Sequence, residues 1–396
     1  MGKIRIEGDV APGFEPLRRA FEENFSQRNE VGAAICVYRD GKRVVSLWGG
    51  DADRSSGQQW QRDTLTVVFS TTKGLVATCF AILVDRGQLE LDAPVAQYWP
   101  AFGNNGKESI TVRQLLNHRA GLAAHETRLS IDDFLDDPQK VRQALENQRP
   151  GRAEQAYGAT AWGAFVGELF HQATGTTVGQ FLAQEVAKPL GAEVYIGLPR
   201  ELEERVARLQ VVGSNEFLEI LPTVALRRNT DGRVFRRLLF GKKSLTRRAI
   251  AYPYMGPQRT ARMNDPRLRR AELPWASGVA SAEGLARVYA ALANGGTLDG
   301  VQLMKASTIK PLYERQSWSN RDGVMQKPIG FAQGFQKEQL HLLSPNIETF
   351  GHYGAGGSFG FADPKANLSV AYLMNRMDWR IRSERGLAIC QAVYAS

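Results

Sequence analysis

The 396-residue sequence predicts a protein of the α/β class, with strands towards both ends of the chain and helices between them. Near the N-terminus, the apolar residues 31–38 and 44–48 form two strand-like runs joined by an Asp-Gly tight turn. Near the C-terminus, residues 348–377 contain two more such runs around a turn at 363–367. Most of the chain between them places apolar residues at the spacing of helices.

Each element of the first half rests on a local pattern. Residues 14–26 carry apolar side chains at helical spacing, which predicts an amphipathic helix before the first two strands. The stretch 67–87 is apolar on nearly every face, so it predicts a buried helix that ends at Gly87. Thr111 and Gln114 have the spacing of a capping box and predict the start of a further helix.

The second half continues with helices and returns to strands. Residues 161–173 predict a helix that ends at Gly175, and Ser281 has the position of an N-cap for a helix that runs to Ala293. The remaining predicted elements are helices at 178–187, 306–314 and 381–394, and strands at 330–335 and 339–343.

Composition excludes several classes of protein. No run of eighteen apolar residues occurs, so no membrane span is expected. Residues 1–12 lack the apolar core of a secretory signal, which favours a cytoplasmic location. The three cysteines are far apart and do not form a disulfide framework. The five histidines show no metal-binding spacing, so no metal is expected.

A serine and a lysine lie at the start of the buried helix. Ser70 and Lys73 are three positions apart, so their side chains lie on one helical face. An ammonium group buried there costs free energy unless it has a use. A lysine with a lowered pKa helps to take the proton of a serine hydroxyl, so the pair predicts nucleophilic catalysis by Ser70. The structural alternative is that Ser70 caps the helix and Lys73 reaches the surface.

Three more polar side chains need an interpretation. Tyr157 lies in an irregular segment before a helix, where a tyrosine is commonly half-buried, but a phenol beside an ammonium loses its proton more easily and can act as a base. His118 is interpreted as a hydrogen-bonded structural histidine. Ser358 lies in a G-x-S-x-G sequence, which as a nucleophile motif requires a following helix and a later histidine. No histidine lies beyond His352, so Ser358 is not favoured as a nucleophile.

The positive charge is concentrated in residues 205–270, which hold sixteen Arg or Lys and four acidic residues in a chain of formal net charge +9. The favoured interpretation is a solvated or partner-facing surface insertion. Nucleic-acid binding is an alternative, although no aromatic-interleaved RNA motif or helix-turn-helix pattern is legible. A second alternative is a flap near the active site that attracts anionic substrates.

Five ordered blocks of the sequence resemble the serine β-lactamase and penicillin-binding-protein superfamily, and most of all its class C-like carboxylesterases, the family VIII esterases. The blocks are VVFSTTKG at 67–74, ITVRQLLNHRAGL at 110–122, PG followed by Tyr157, SGVASAEGLARVYAALANGG at 277–296 and FGHYGAGGSFGFADP at 350–364. The resemblance covers nearly the whole chain apart from the basic region.

The resemblance implies a β-lactamase-like fold, with an antiparallel sheet flanked by helices and an inserted, mostly helical subdomain. Residues 1–95 and 275–396 would form the α/β subdomain. Residues 96–274 would form the helical subdomain, including the basic insertion at about 205–270. The active site would lie where the two subdomains meet.

The resemblance also implies the roles of individual residues. Ser70 would attack the acyl carbon, Lys73 would hold the proton network, and Tyr157 would be the general base, first for Ser70 and then for water. The backbone N–H groups of Ser70 and Ala355 would form the oxyanion hole. Substrate-binding residues are expected around the strand that matches the family's K-T-G motif: His352, Tyr353, Gly354 and Gly356.

Three departures from the family pattern bear on the substrate. The asparagine that usually follows the tyrosine is absent, since Tyr157 is followed by Gly158 and Ala159. His352 replaces a lysine and is expected to offer a weaker, pH-dependent positive charge. Both changes favour short-chain, uncharged esters over β-lactams. Tyr353 stands where threonine is usual and is expected to narrow the acyl pocket.

The resulting expectation is a serine carboxylesterase that hydrolyses a small-molecule ester in two steps, without a cofactor or metal. A β-lactamase, a D-aminopeptidase-type amide hydrolase or a transacylase would use the same residues. An inactive binding protein that kept the fold is an alternative outside catalysis. Another is binding of an anionic ligand or nucleic acid through 205–270, although nucleic acid is the less favoured partner. A homo-oligomer is compatible with the sequence.

Overall fold

The computed structural model describes residues 4–152, 154–211, 229–337 and 344–396, together with positions 219, 221, 222, 224 and 225. The strands are β1 Ile6–Val10, β2 Gly32–Arg39, β3 Lys42–Asp53, β4 Gln58–Gln59, β5 Thr66–Val67, β6 Val194–Tyr195, β7 Val279–Ala280, β8 Thr297–Leu298, β9 Val301–Gln302, β10 Ser317–Ser319, β11 Ile329–Ala332, β12 Phe335–Lys337, β13 Phe350–Tyr353, β14 Phe359–Asp363 and β15 Leu368–Met374.

The α-helices are α1 Glu15–Gln27, α2 Thr72–Asp85, α3 Val95–Tyr98, α4 Val112–Leu116, α5 Ile131–Asp136, α6 Pro138–Asn147, α7 Ala161–Thr174, α8 Val178–Leu182, α9 Lys188–Leu190, α10 Thr230–Phe240, α11 Leu245–Ala251, α12 Pro266–Arg270, α13 Ala282–Ala293, α14 Ala306–Ile309 and α15 Glu384–Tyr394. Shorter 3-10 turns cover Phe69–Thr71, Pro100–Gly103, Arg200–Arg205, Arg259–Asn264 and Lys310–Tyr313, and a π turn covers Ala183–Ala187. Of the described helices, none has both the length and the apolarity needed to cross a bilayer.

Within the described residues, the fold is centred on an antiparallel sheet of ten strands, in the order β1-β3-β2-β15-β14-β13-β12-β11-β10, with β4 paired to β3. Strands β2 and β15, from opposite ends of the chain, are neighbours in this sheet. Helices α1 and α15 cover one face and helices α2 and α13 the other. Strand β2 is apolar at almost every position because both of its faces are buried. An antiparallel sheet flanked by helices is therefore confirmed.

Most of the predicted helices are confirmed, including the capping box of Thr111 with Gln114 and the N-cap of Ser281. The predicted strand at 330–335 is wrong, because a turn at Gln333 and Gly334 divides it into the hairpin β11–β12. The stretch 348–377 forms three strands rather than two, since β13 precedes the predicted pair. The predicted strand at 339–343 lies outside the described residues.

The described part of the basic region contacts neighbouring segments of the chain, and its assignment as a solvated or partner-facing surface insertion stays a prediction. Several of its arginines form salt bridges with neighbouring segments: Arg205 with Glu193, Arg262 with Asp132, Arg267 with Asp136 and Arg269 with Glu203. Helix α11 buries Thr246, which donates to the Val324 carbonyl at 3.0 Å. The same helix packs Ala249 in one apolar cluster with Tyr157. The described part of the region therefore supports the segment that carries Tyr157.

A buried ionic network ties the last helix to the central strands. Arg385 of α15 donates to Glu30 Oε1 at 2.6 Å, and the two side chains are 4% and 0% exposed. The Tyr372 hydroxyl of β15 donates to the other oxygen of Glu30. Arg385 also donates to the Arg376 carbonyl at 2.7 Å. Two buried charges are tolerated because each is paired and hydrogen-bonded.

Replacing Arg385 should therefore be costly. Arg385→Met leaves the Glu30 carboxylate buried without its counter-charge, so we expect the free energy of unfolding in urea to fall by about 3–5 kcal/mol. The control, Asp136→Asn, removes a pair whose side chains are 52% and 59% exposed, and should cost less than about 1 kcal/mol. Equal losses in the two variants would contradict the role given to this network.

Candidate active site

Ser70 lies in the 3-10 turn Phe69–Thr71 that leads into α2, rather than in the α-helix itself. Phe69 has a φ of +48°, a left-handed conformation that costs a non-glycine residue about 1–3 kcal/mol. Thr72 Oγ1 donates to the Phe69 carbonyl and helps to hold this turn. Ser70 is partly exposed, whereas the residues on either side of it are buried. The strained turn thus presents one hydroxyl at the accessible end of a buried helix.

Lys73 is fully buried, so the alternative in which it reaches the surface is wrong. Its Nζ lies 3.2 Å from Ser70 Oγ, within hydrogen-bond distance, and donates to the carbonyls of Ala159 and Trp275 at 2.9 and 3.1 Å. Burial lowers the pKa of the Lys73 ammonium well below its usual range. The amine that faces Ser70 is therefore a group that gives up its proton unusually easily.

Tyr157 joins the same cluster from the segment before α7. Its hydroxyl is hydrogen-bonded to the Ser70 side chain. Lys73 Nζ lies 5.1 Å from the centre of its ring. Its backbone N–H donates to both carboxylate oxygens of the buried Asp322, at 3.1 and 2.9 Å. These contacts fix both the main chain and the hydroxyl of Tyr157.

The neighbouring ammonium was expected to lower the pKa of the Tyr157 hydroxyl, and this direction is wrong. Burial raises the pKa of the Tyr157 hydroxyl, and the hydrogen bond with Ser70 offsets only part of this increase. The reason is that burial disfavours both charged forms, the phenolate of Tyr157 and the ammonium of Lys73. The resting pair is accordingly a neutral phenol beside an amine with a low pKa.

His118 is a hydrogen-bonded histidine, as predicted. Its Nδ1 accepts the backbone N–H of Gly158 at 3.0 Å, and its ring centre lies 5.1 Å from that of Tyr157. Burial, with smaller effects from Lys73 and His352, lowers the pKa of His118 well below its usual range. A neutral imidazole therefore supports the residue next to Tyr157.

His352 reaches the cluster from β13, with its ring centre 6.1 Å from that of Tyr157. Its Nδ1 lies 2.8 Å from the Tyr353 carbonyl, and because a carbonyl only accepts, Nδ1 carries the proton. Burial, and then the neighbouring Lys73, lower the pKa of His352 to about 3. The expected pH-dependent positive charge is therefore wrong near neutral pH, where His352 is uncharged.

The end of β13 is held against the turn that carries Ser70. At Gly354, an added Cβ would lie 2.2 Å from Ser358 Oγ and 2.3 Å from the Val68 carbonyl. Ser358 itself is buried and donates to that carbonyl at 3.0 Å, so its hydroxyl supports the turn. Ala355, the next residue along, is exposed.

Two of the expected substrate-binding residues lie away from this cluster. Tyr353 faces the opposite side of the sheet from His352, because neighbouring residues in a strand alternate. It packs with Phe359 at 6.3 Å against the side covered by α1 and α15. The expectation that Tyr353 narrows the acyl pocket stays a prediction. Gly356 is buried, and a Cβ added there would lie 3.0 Å from Met377.

Three contributors to the site have no recognisable signal in the sequence. Asp322 holds the Tyr157 backbone across 165 residues of sequence. The main-chain carbonyls of Ala159 and Trp275 fix Lys73, and a carbonyl that accepts a hydrogen bond can belong to any residue type. None of the three belongs to a recognisable motif, so only the folded chain reveals them.

The chain matches the family model described as Beta-lactamase over residues 17–393. It belongs to the beta-lactamase family. It is 34% identical over 380 residues to the esterase/beta-lactamase LipL of Mycobacterium tuberculosis, a match that covers 94% of this chain and 83% of the relative.

Solved structures in the same family are similar over nearly the whole chain. A family VIII carboxylesterase is 36% identical with a TM-score of 0.86, over 98% of this chain and 99% of that one. A penicillin-binding protein homolog from Caulobacter crescentus is 34% identical with a TM-score of 0.83, over 99% of each chain.

Gly354 offers a test of the contact between β13 and the Ser70 turn. Gly354→Ala places a Cβ inside the contact distances of Val68 and Ser358, so we expect the free energy of unfolding to fall by about 1–3 kcal/mol. Gly151→Ala is the control, because its Cβ would meet nothing closer than 3.4 Å, and it should change stability by about 0.5 kcal/mol or less. Urea unfolding of both variants measures the difference. A neutral Gly354→Ala would contradict the close approach.

Proposed function

We propose that this member of the beta-lactamase family is a serine hydrolase that cleaves carboxylic esters through an acyl-enzyme on Ser70. One observation carries the proposal: the partly exposed Ser70 hydroxyl contacts both the buried Lys73 amine and the Tyr157 hydroxyl. A hydroxyl with a proton acceptor on one side and open space on the other has the arrangement of an activated nucleophile. The printed names of two relatives, an esterase/beta-lactamase and a family VIII carboxylesterase, support an ester as substrate.

Lys73 is the proposed resting proton acceptor. A neutral amine has two N–H groups, and the carbonyls of Ala159 and Trp275 provide an acceptor for each of them. Its lone pair is then directed at the third neighbour, Ser70 Oγ. Because burial lowers the pKa of Lys73 and raises that of Tyr157, the amine rather than a phenolate is the base in the resting enzyme. This assignment differs from the family-based one, in which Tyr157 takes the first proton.

The reaction then proceeds in two steps. Ser70 Oγ attacks the acyl carbon while its proton passes to Lys73, and the backbone N–H groups of Ser70 and Ala355 stabilise the oxyanion. As the carbonyl re-forms, the alkoxide leaves and takes a proton, which the Tyr157 hydroxyl relays from Lys73. Water attacks the acyl-enzyme along the same proton path, which releases the acid and restores the Ser70 hydroxyl.

The substrate class follows from the charges around the site. His352 is uncharged near neutral pH, so it provides no positive charge for the carboxylate of a β-lactam. His118, which lies in ring contact with Tyr157, is likewise held neutral by burial. A cluster that disfavours charge also disfavours a charged substrate. We therefore propose short-chain, uncharged esters as substrates.

Covalent labelling tests the nucleophile. We expect a serine-directed phosphonate to add once to the wild-type chain, with the adduct mapped to the peptide that contains Ser70 by mass spectrometry. Ser70→Ala should lose both the adduct and turnover of p-nitrophenyl acetate, since Ser70 is the one serine hydrogen-bonded to Lys73 among the described residues. Ser319→Ala, at another partly exposed serine, should keep both. An adduct on Ser358, or no adduct at all, would refute the assignment.

The substrate preference is tested by comparing two chromogenic compounds. We expect kcat/KM for p-nitrophenyl acetate to exceed that for a chromogenic cephalosporin by at least about tenfold, which corresponds to about 1.4 kcal/mol of transition-state binding. The Ser70→Ala variant is the blank for both. Equal or faster turnover of the cephalosporin would favour the β-lactamase alternative over the esterase.

A further inference from the structure

A cavity of about 560 Å³ lies outside the residues assigned to ester hydrolysis. Helix α10 forms one of its walls, and Arg321, from the segment between β10 and β11, contributes to another. The lining residues are Arg233, Arg236, Arg237, Phe240, Gly241 and Arg321. We refer to this cavity as the arginine pocket. Four of its six lining residues are arginines, each with a guanidinium group.

Within the described part of the chain, no carboxylate neutralises the positive charge of the arginine pocket. None of its four arginines forms a salt bridge with a carboxylate of the described residues. By contrast, Arg262 and Arg267, in the same basic region, each pair with an aspartate. Three of the guanidinium groups also act on one another: burial, and then Arg321 and Arg233, lower the pKa of Arg237. Holding like charges together costs free energy unless an anion offsets the repulsion.

Part of the hydrogen-bonding capacity of the pocket is fixed and part is unused. Arg233 Nη2 donates to Thr230 Oγ1 and to the Gln326 carbonyl, both at 3.1 Å. Arg321 Nε donates to Gln326 Oε1 at 2.9 Å. Arg233 Nε and Arg237 Nη1 are buried donor atoms that have no hydrogen-bond partner among the residues the structure describes. Buried donors are normally satisfied, so these two indicate a missing acceptor.

We propose that the arginine pocket binds a phosphate group. A phosphate monoester carries close to two negative charges and three acceptor oxygens, which match several converging guanidinium forks. A single carboxylate would leave most of the positive charge unpaired. The Phe240 ring, 70% exposed, lines the same pocket and provides an apolar surface for the organic part of the ligand. Two kinds of ligand carry such a phosphate group: a small soluble phosphate ester and a phospholipid headgroup.

Isothermal titration calorimetry of the full-length protein with glycerol 3-phosphate tests the soluble source. We expect saturable binding that weakens about tenfold or more in Arg237→Gln, because this variant loses a charge-assisted hydrogen bond to the phosphate. Arg236→Gln, at an exposed side chain of the same pocket, should also weaken binding without any effect on folding. Lys243→Gln makes the same charge change on an exposed side chain outside the pocket and should weaken binding less than about threefold. Turnover of p-nitrophenyl acetate should persist in all three variants.

Sedimentation with vesicles tests the lipid source. Phosphatidylcholine vesicles that contain phosphatidic acid should retain the protein if the ligand is a headgroup, whereas phosphatidylcholine alone should not. Loss of retention in Arg237→Gln but not in Lys243→Gln supports the pocket with a lipid ligand, even if glycerol 3-phosphate does not bind. Absence of binding to both probes overturns the proposal. Equal weakening in Arg237→Gln and Lys243→Gln also overturns it, because general charge rather than the pocket would then be responsible.

Discussion

The burial of one amine organises the candidate site. Lys73 lies at the start of an apolar helix, where its charged form is costly, and its hydrogen-bond partners come from three separate segments. The packing that excludes water from this amine also excludes water from the neighbouring side chains. The pKa values of His118 and His352 fall, and that of Tyr157 rises, for the same reason. The result is a cluster of uncharged polar groups, and the proposed mechanism in this cluster relies on proton transfer rather than on fixed charges.

The sheet brings this cluster together from distant parts of the chain. Ser70 follows the N-terminal strands, whereas His352 lies on β13 and is reached only after most of the helices. The contact of Gly354 with the Val68 carbonyl is close enough to exclude a methyl group. The position of the β13 end relative to Ser70 is therefore set by direct main-chain packing. Asp322 holds Tyr157 in a similar way, because both of its carboxylate oxygens accept the backbone N–H of Tyr157.

Local chemistry explains which features were predictable from the sequence. The capping box of Thr111, the N-cap of Ser281 and the S-x-x-K pair each depend on residues a few positions apart. A short stretch of the sequence therefore contains each complete signal. The turn at Gln333 and Gly334 was missed because the apolar run across it resembles a continuous strand. The shift of the Tyr157 pKa was given the wrong sign because a sequence reveals a neighbouring charge more readily than the depth of burial. Asp322 was missed because its partner is far away in the chain.

The pairing of β2 with β15 has a consequence for synthesis. Strand β2 is apolar on both faces, and one of its two neighbours in the sheet is made only when residues 368–374 have left the ribosome. The Arg385 partner of Glu30 is made later still. Such non-local pairings form slowly, and exposed strand edges invite association with other chains. One edge of strand β2 in the growing chain therefore stays unpaired until residues 368–374 have been synthesised.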